Sequence, residues 1–472
     1  MIGTRALLLA STLALTGCSL APKTVLPTPP VPQSWPVGDA YLLQSEAALP
    51  VLSYQSVFTD PRLQSLAEQA LTNNRDLRVA YANVAAARAQ ARVTRSGQFP
   101  AIGISGGAGY SDGGGNGTGG GGSGDFSLRG GITAFELDLF GKLANATESD
   151  RNRALATEAA SRTVRVALIA NLAEAWATYG ADRDLLAIAQ DTAANARENV
   201  RLTRARLDGG VAPRTDLRQA EQILATAEDA IAAQTSALAQ DENLIRLLVG
   251  GDVDRALLPG GLADVTPAIA SLPAGVNSQI LLRRPDVIEA EYSLRAANAD
   301  IGVARAQLFP SISLTGLLGF ASNALSSLFD SGSFSWSAGG DMTAPIFDAG
   351  GRRAGVAVSE AQRDAALANY EGAIQTAFRE VADALAVQGT IAERVRAAAA
   401  NTAAAADTAM LTDARYKGGV DSFLASLDAQ RSLYAARRSE IATQLLLAQT
   451  RIALFRALGG DSGAGTETAP PR

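Results

Sequence analysis

The chain has 472 residues, with 41 Lys or Arg, 47 Asp or Glu and a net charge of −6. This acidic balance argues against nucleic acid as a partner, because nucleic acid binds to basic faces. The chain has no histidine and one cysteine, which excludes His-based catalysis and a His/Cys metal site. Its carboxylates are scattered along helical stretches, so we expect neither an enzymatic activity nor a bound cofactor.

The first residues are typical of a bacterial signal peptide. Arg5 precedes an apolar core at 6–15 that is too short to span a bilayer. Leu-Thr-Gly-Cys, ending at Cys18, resembles the lipobox of bacterial lipoproteins, where cleavage leaves an acylated cysteine at the N-terminus. The sequence therefore predicts lipidation of Cys18, and the alternative is an ordinary signal peptide with a chance cysteine. Ser19 follows, and lipoproteins without an acidic residue there usually go to the outer membrane.

Beyond the signal peptide, the chain contains an internal sequence repeat in two copies. At a spacing of 210 residues Phe99-Pro100 recurs as Phe309-Pro310, and at 209 Arg206–Val211 recurs as Arg415–Val420. A repeat of this length indicates a tandem domain duplication. The predicted segments are a signal peptide at 1–17, a lipidated Pro-rich tether at 18–55, a first repeat at 56–252, a linker at 253–284, a second repeat at 285–460 and a disordered tail at 461–472.

Each repeat contains a long helical hairpin. Residues 143–207 and 352–417 lack proline and are rich in good helix formers. Each of these helices ends in Gly-Gly and is followed by a return helix, at 214–249 and 422–458. The first return helix has apolar residues every 3.5 positions, interrupted by Gln234 and Asp241, and this period is typical of coiled coils. We therefore expect antiparallel coiled-coil pairs.

Each repeat also contains two short segments with period-two alternation, predicted as strands at about 101–110, 125–138, 311–320 and 333–345. Aliphatic and aromatic residues suit lipid on one face, and Ser, Thr and Gly suit a water-filled lumen on the other. Four strands cannot close a membrane barrel, so several chains must combine their strands. Three chains would supply twelve strands and four would supply sixteen. The alternative is two exposed hairpins packed on a soluble core.

Residues 278–316 contain Leu-Leu-Arg-Arg-Pro-Asp, Ala-Ala-Asn-Ala-Asp-Ile-Gly and Phe-Pro-Ser-Ile. Together with Tyr416-Lys-Gly-Gly-Val and Leu427-Asp428-Ala429-Gln430-Arg431, they resemble the outer membrane factor family, the TolC-like channels of efflux pumps, and in particular its lipoprotein branch. The resemblance covers essentially the whole mature chain. The Arg-Arg-Pro-Asp run is also compatible with a helix start that has Pro285 in its first turn.

The resemblance implies a mostly α fold with a small β part. Helical hairpins form a periplasmic α-barrel, and four strands per chain contribute to a twelve-stranded β-barrel shared by a homotrimer. It further implies a lipid-anchored protein in the bacterial outer membrane with a long periplasmic extension. The implied partners are outer membrane lipid, a periplasmic adaptor protein and an inner-membrane efflux transporter.

The resemblance also assigns the functional residues. The helical tips, 208–217 and 417–427, dock the adaptor, and Asp428 matches an aspartate that forms a ring around the closed pore. Thr215 and Asp216 match positions that bond to the neighbouring helix pair, with Tyr416 as the partner. The implied tip residues are Gly209, Gly210, Val211, Thr215, Asp216, Tyr416, Gly418, Gly419, Val420, Asp421 and Leu427.

Two positions depart from relatives. Ala425 stands where some have a second gate aspartate, and Asp421 stands where some have an arginine that bridges the gate. The gate is therefore not of the arginine-latched type, and Asp428 is its main predicted charge. The alternative role for Asp428 is helix capping or a solvated helix surface.

The sequence thus predicts a passive export duct for small toxic solutes or drugs. The lipobox favours efflux over a type I protein-secretion duct. A structural coiled-coil lipoprotein without a pore is disfavoured by the alternating strands. A lipoprotein enzyme such as a wall hydrolase is disfavoured by the missing histidine and the unclustered carboxylates.

Overall fold

A computed structural model describes residues 19–23, 27–28, 30–32, 34–36, 41, 53–111, 123–271 and 278–460. Cys18, most of the tether, the glycine-rich segment 112–122 and the tail 461–472 lie outside the described residues. The predictions for those segments therefore stay predictions.

The described chain is mostly helical, with four strands, as the sequence predicted. The two long helices have 67 residues each. Among the described residues, no helix has the length and apolarity needed to cross a membrane. In chain order the elements are α1 Tyr54–Val57, α2 Pro61–Asn73, α3 Arg75–Ser96, β1 Ile102–Ser111, β2 Ser123–Glu136, α4 Lys142–Asp208, α5 Arg214–Val249, a 3₁₀ turn Arg255–Leu257, α6 Leu262–Ala268, a 3₁₀ turn Ser278–Arg283, α7 Pro285–Ala306, β3 Ser311–Ser322, a 3₁₀ turn Leu325–Ser327, β4 Phe334–Thr343, α8 Gly351–Lys417 and α9 Phe423–Ala457.

The chain divides into two compact units, and each unit draws on both sequence repeats. The first consists of the described parts of 1–28, 83–158 and 289–371 and contains the strands. The second consists of the described parts of 29–82, 159–288 and 372–472 and contains both helical tips. The repeats are therefore interleaved in each unit.

In the first unit, the four strands form one antiparallel sheet in the order β1-β2-β3-β4. The β2–β3 pair joins the two sequence repeats, and its register shifts between Ile132 and Phe135. Gly131 precedes this bulge with a φ of 145°, and a Cβ there would lie 2.1 Å from the Gly316 carbonyl oxygen. Only glycine fits that close approach. Within the described sheet, β1 and β4 each keep one edge without a neighbouring strand.

The core of the second unit is aromatic and aliphatic. Trp176 is fully buried and donates its indole N–H to the Leu257 carbonyl oxygen at 2.9 Å. Phe58 and Phe455 meet edge to face, with ring centroids 5.0 Å apart. Such pairing adds to the free energy that burial itself contributes. This core connects the short N-terminal helices to the end of α9.

The Arg-Arg-Pro-Asp run has a structural role in the same unit. Pro285 opens α7, as the sequence predicted. The guanidinium of the buried Arg284 donates to Asp286, to the Glu380 carboxylate at 2.8 Å and to the Ala457 carbonyl oxygen at 2.7 Å. A buried cation needs such partners, because removing them would leave its charge uncompensated.

Asp241, one of the two polar interruptions of the coiled-coil pattern, faces Asp182 of the neighbouring helix α4. Burial raises the pKa of Asp241 to about 6, and the charge of Asp182 and a hydrogen bond between the two carboxyl groups add to the shift. Burial also raises the pKa of Asp182. Because the two carboxyl groups interact, the pair titrates as a unit.

We expect Asp241→Asn to stabilise the protein by about 1 kcal/mol at pH 8 and to change little at pH 4. The folded chain binds more protons than the unfolded chain between the ordinary pKa of 3.8 and the raised value of about 6. Wild-type stability therefore falls as pH rises through this window and stays low above it. The shift corresponds to about 3 kcal/mol, which solvent screening of a partly buried group reduces.

Thermal unfolding followed by circular dichroism at both pH values measures this effect. Asp229→Asn, which removes an exposed charge from the same helix α5, is the matched control. An equal gain for Asp241→Asn at pH 4 and pH 8 would contradict the assignment.

Candidate functional site at the two helical tips

The two tips close with the same backbone hydrogen bonds. In the first tip the N–H groups of Gly210 and Val211 donate to the carbonyl oxygens of Leu207 and Arg206, both at 2.9 Å. In the second tip those of Gly419 and Val420 donate to Tyr416 and Arg415, at 3.0 and 2.9 Å. This pair of bonds is the Schellman motif, which satisfies the last carbonyl groups of a helix. The repeated Gly-Gly-Val therefore encodes one turn, used twice.

Gly210 and Gly419 carry the left-handed backbone of these turns. Their φ angles are 75° and 76°. A Cβ on either glycine would meet no heavy atom within 4 Å. Glycine is therefore required here by the backbone conformation rather than by crowding. Gly209 and Gly418 precede them without a positive φ.

The tips expose apolar side chains to solvent. Val211 and Val420 follow the turn glycines and are both 68% exposed, and Leu424 is 60% exposed. Leu427, also predicted for the tip, is instead buried. The matched pair of valines gives each tip an uncovered apolar end.

The return helices begin differently. Ser422 caps α9, and its hydroxyl accepts a hydrogen bond from the Ala425 N–H at 3.3 Å. Pro213 stands at the corresponding position of α5 and provides no side-chain cap. Ala425 therefore contributes only a backbone donor to this cap.

A small apolar cluster lies behind the second tip and connects it to the first. Tyr416, Phe423, Leu427 and Ala220 are all buried in it. The rings of Tyr416 and Phe423 lie 5.2 Å apart. The guanidinium of Arg206, from the first tip, lies 4.9 Å from the centroid of the Tyr416 ring. The sequence analysis singled out Tyr416 and Leu427, covered Phe423 only as part of the tip 417–427, and did not indicate Arg206.

The Tyr416 hydroxyl is buried and has no hydrogen-bond partner within the described chain. Thr215 is exposed and Asp216 is half-buried, and within the described residues neither bonds to Tyr416. A bond from this hydroxyl to Thr215 or Asp216 across to a neighbouring helix pair stays a prediction. The structure brings together Tyr416 and Leu427 but not these two residues.

Asp421 pairs with an arginine of its own tip. Both carboxylate oxygens accept from Arg415, at 2.6 and 3.1 Å, and this contact lowers the pKa of Asp421. In the first repeat, Ala212 replaces the aspartate, and the equivalent Arg206 lies over Tyr416 instead. The sequence analysis did not predict this pair, although the Arg-x-x-Gly-Gly-Val-Asp spacing could have indicated it by placing both residues on one turn.

Asp428 lies on the exposed face of α9, next to the buried Leu427. Within the described residues it forms no ion pair. Nearby contacts join α4 to α9, because Asn199 donates to Gln430 at 3.1 Å and Arg437 pairs with Asp191 at 2.9 Å. These contacts hold α9 beside the first hairpin while the Asp428 carboxylate faces solvent.

Comparisons with known proteins agree with this arrangement. Residues 66–251 and 276–460 both match the sequence model of a family described as Outer membrane efflux protein. The probable efflux pump outer membrane protein TtgC of Pseudomonas putida is 38% identical over 451 residues, which cover 94% of this chain and 93% of that protein. The cation efflux system protein CusC of Escherichia coli K12 is 37% identical over 451 residues, which cover 95% of this chain and 97% of CusC.

Solved structures share the fold. A crystal structure of CusC has a TM-score of 0.84 at 36% identity and covers 94% of this chain and 100% of that chain. The open state of the Neisseria gonorrhoeae MtrE outer membrane channel has a TM-score of 0.84 at 31% identity, covering 96% and 100%. The two matched family ranges correspond to the two sequence repeats, and each contains one helical tip.

Proposed function

Because this chain belongs to the outer membrane efflux protein family and is an efflux channel of the outer membrane, we propose that it works as a homotrimer. In this proposal three chains form one passive duct, and an inner-membrane transporter drives solutes through it. The observation that carries the proposal is the open four-stranded sheet of the first unit.

The edges of that sheet require partners. β1 and β4 each have a row of backbone groups without a neighbouring strand, which a bilayer does not tolerate. Three chains would supply twelve strands, enough to close a barrel. The sheet also has large apolar side chains exposed, as expected of a surface that faces lipid. They are Ile102, Ile104, Tyr110, Leu318, Phe334, Trp336 and Met342.

The helical tips are the proposed docking site for a periplasmic adaptor. Val211 and Val420 give them a pair of exposed apolar ends on identical turns. Two equivalent tips per chain would present six similar surfaces in a trimer. This repetition favours a partner that binds as a ring of several copies.

Cys18 is the proposed lipid attachment site, and it would fix the tether to the outer membrane. Two or more acyl chains anchor firmly, since each buried methylene contributes about 0.8 kcal/mol. The proposed cargo is small toxic solutes or drugs. Relatives include proteins named as a toluene efflux pump component and a cation efflux component, which supports small solutes over secreted proteins.

We expect the full-length protein, purified from outer membranes in detergent, to have the mass of three chains and to conduct ions in a planar bilayer. The mass of the denatured chain should correspond to a chain that begins at Cys18 and carries added acyl groups. In the Cys18→Ser variant the mass of these acyl groups should be absent. A monodisperse monomer without conductance would overturn the channel proposal. An unmodified thiol at Cys18 would overturn only the lipid anchor.

A further inference from the structure

Within the first unit, an aromatic stack joins the two sequence repeats. Phe140, which lies between β2 and α4, stacks on Phe309, which lies between α7 and β3. Their ring centroids are 4.5 Å apart and their planes differ by 15°. The stack stands at the base of the β2–β3 pair, where the strands of the two repeats meet.

The duplication supplies a second pair of equivalent rings. Phe99 corresponds to Phe309, because both open a Phe-Pro-x-Ile run that leads into a strand. Phe347 corresponds to Phe140, because both follow an aliphatic residue between a strand and a long helix. Phe99 is 58% exposed and Phe347 is 87% exposed, so the second pair is uncovered within the chain.

The second pair belongs to the two edges of the sheet. Phe99 precedes the edge strand β1, and Phe347 follows the edge strand β4. The first pair, in contrast, stands at the junction between the paired strands β2 and β3. Each edge of the sheet therefore carries one ring, Phe99 or Phe347, of a second aromatic pair that is not formed within the chain.

The helices next to these rings differ in the same way: α7, beside the stacked pair, is more buried than its equivalent α3, beside Phe99. On α7, Ile301 is fully buried and Ala306 is 5% exposed, and both α4 and residues 20–22 contact this helix. The Arg153 guanidinium of α4 pairs with Asp300 of α7 at 2.6 Å. The equivalent residues of α3, Ala91 and Ser96, are half-buried and exposed. On the start of α4, in contrast to these residues of α3, Ser149 is fully buried.

We propose that a second copy of this chain covers these faces, with Phe347 of one chain stacked on Phe99 of the next. The contact repeats between chains the junction that Phe140 and Phe309 make within one chain. This inference rests on the proposed homotrimer and adds to it a specific aromatic contact at each subunit boundary. The start of α8 would then cover α3 of the next chain, as α4 covers α7 here.

Cysteine cross-linking in intact outer membranes tests the proposal. The full-length double variant Phe99→Cys/Phe347→Cys is treated with a short bismaleimide and examined on denaturing gels. We expect covalent dimers and trimers. Phe140→Cys/Phe309→Cys is the matched control, because its cross-link forms within one chain and adds no mass. Each single variant and the wild type, which retains only Cys18, should remain monomeric.

The mismatched variant Phe99→Cys/Phe309→Cys should also give no covalent oligomers, because its two positions are equivalent rather than complementary. Trimers of native mass that conduct ions but yield no covalent oligomers in Phe99→Cys/Phe347→Cys would overturn the aromatic contact and leave the channel intact. A protein that never forms trimers would overturn the contact together with the proposed homotrimer.

A second measurement covers the case in which the double variant fails to assemble. Phe347→Ala removes a ring that buries little within its own chain, so the monomer should fold normally. We expect its trimers to dissociate in detergent at a lower temperature than wild-type trimers. An unchanged dissociation temperature would contradict the proposal.

Discussion

Isoleucine at both Gly210 and Gly419 is expected to abolish efflux while trimers remain in the outer membrane. The two glycines have φ angles of 75° and 76°, where a side chain costs roughly 1–2 kcal/mol per residue. That cost is small compared with the free energy that helix packing contributes. We therefore expect the turn to rearrange while the rest of the fold remains intact. The exposed Val211 and Val420 would then leave their matched positions, and the adaptor would lose its docking surface.

Drug susceptibility of the native host, with its own copy deleted and the variant supplied in its place, measures efflux. Alanine at Gly210 and Gly419 should weaken efflux partly. Alanine at Gly209 and Gly418 is the matched control, because these adjacent glycines lack a positive φ and should keep efflux close to wild type. Wild-type resistance together with unchanged adaptor cross-linking in the isoleucine variant would rule out docking at these turns.

The helices and turns were predictable because their determinants are local. A stretch without proline and rich in helix formers predicted α8 at 352–417, and it spans Gly351–Lys417. The Gly-Gly-Val repeats predicted the tips, because a Schellman turn depends on one glycine in the left-handed region. Alternation of apolar residues likewise predicted the strands, since one face of each must differ from the other.

The features that the sequence did not predict depend on distant residues. The register shift beside Gly131 follows from the close approach of β3, which no local pattern encodes. The position of Arg206 over Tyr416 depends on how two hairpins pack together. The Tyr416 hydroxyl is buried without a hydrogen-bond partner among the described residues, and no local sequence pattern names one.

Asp428→Ala is expected to raise single-channel conductance and to weaken cation selectivity. The carboxylate is exposed on α9 and forms no ion pair among the described residues, so its loss should leave the fold intact. In the proposed trimer three such charges approach one axis. Two unit charges 4 Å apart interact by about 1 kcal/mol in water and about 4 kcal/mol near a protein surface. A ring of carboxylates at the narrow end of a channel attracts cations and makes the channel selective for them.

Planar-bilayer recordings of wild type and Asp428→Ala in the same salt measure conductance and cation selectivity. Asp428→Asn separates charge from volume, because it keeps the size of the side chain and should lose selectivity to a similar extent. Asp407→Ala, which removes an exposed charge from α8, is the control and should behave like wild type. Trivalent cations on the periplasmic side should block wild type more strongly than Asp428→Ala, and high salt should reduce the difference because it screens the charges. Equal conductance, selectivity and block in wild type and Asp428→Ala would make Asp428 a helix-surface residue and place the gate elsewhere.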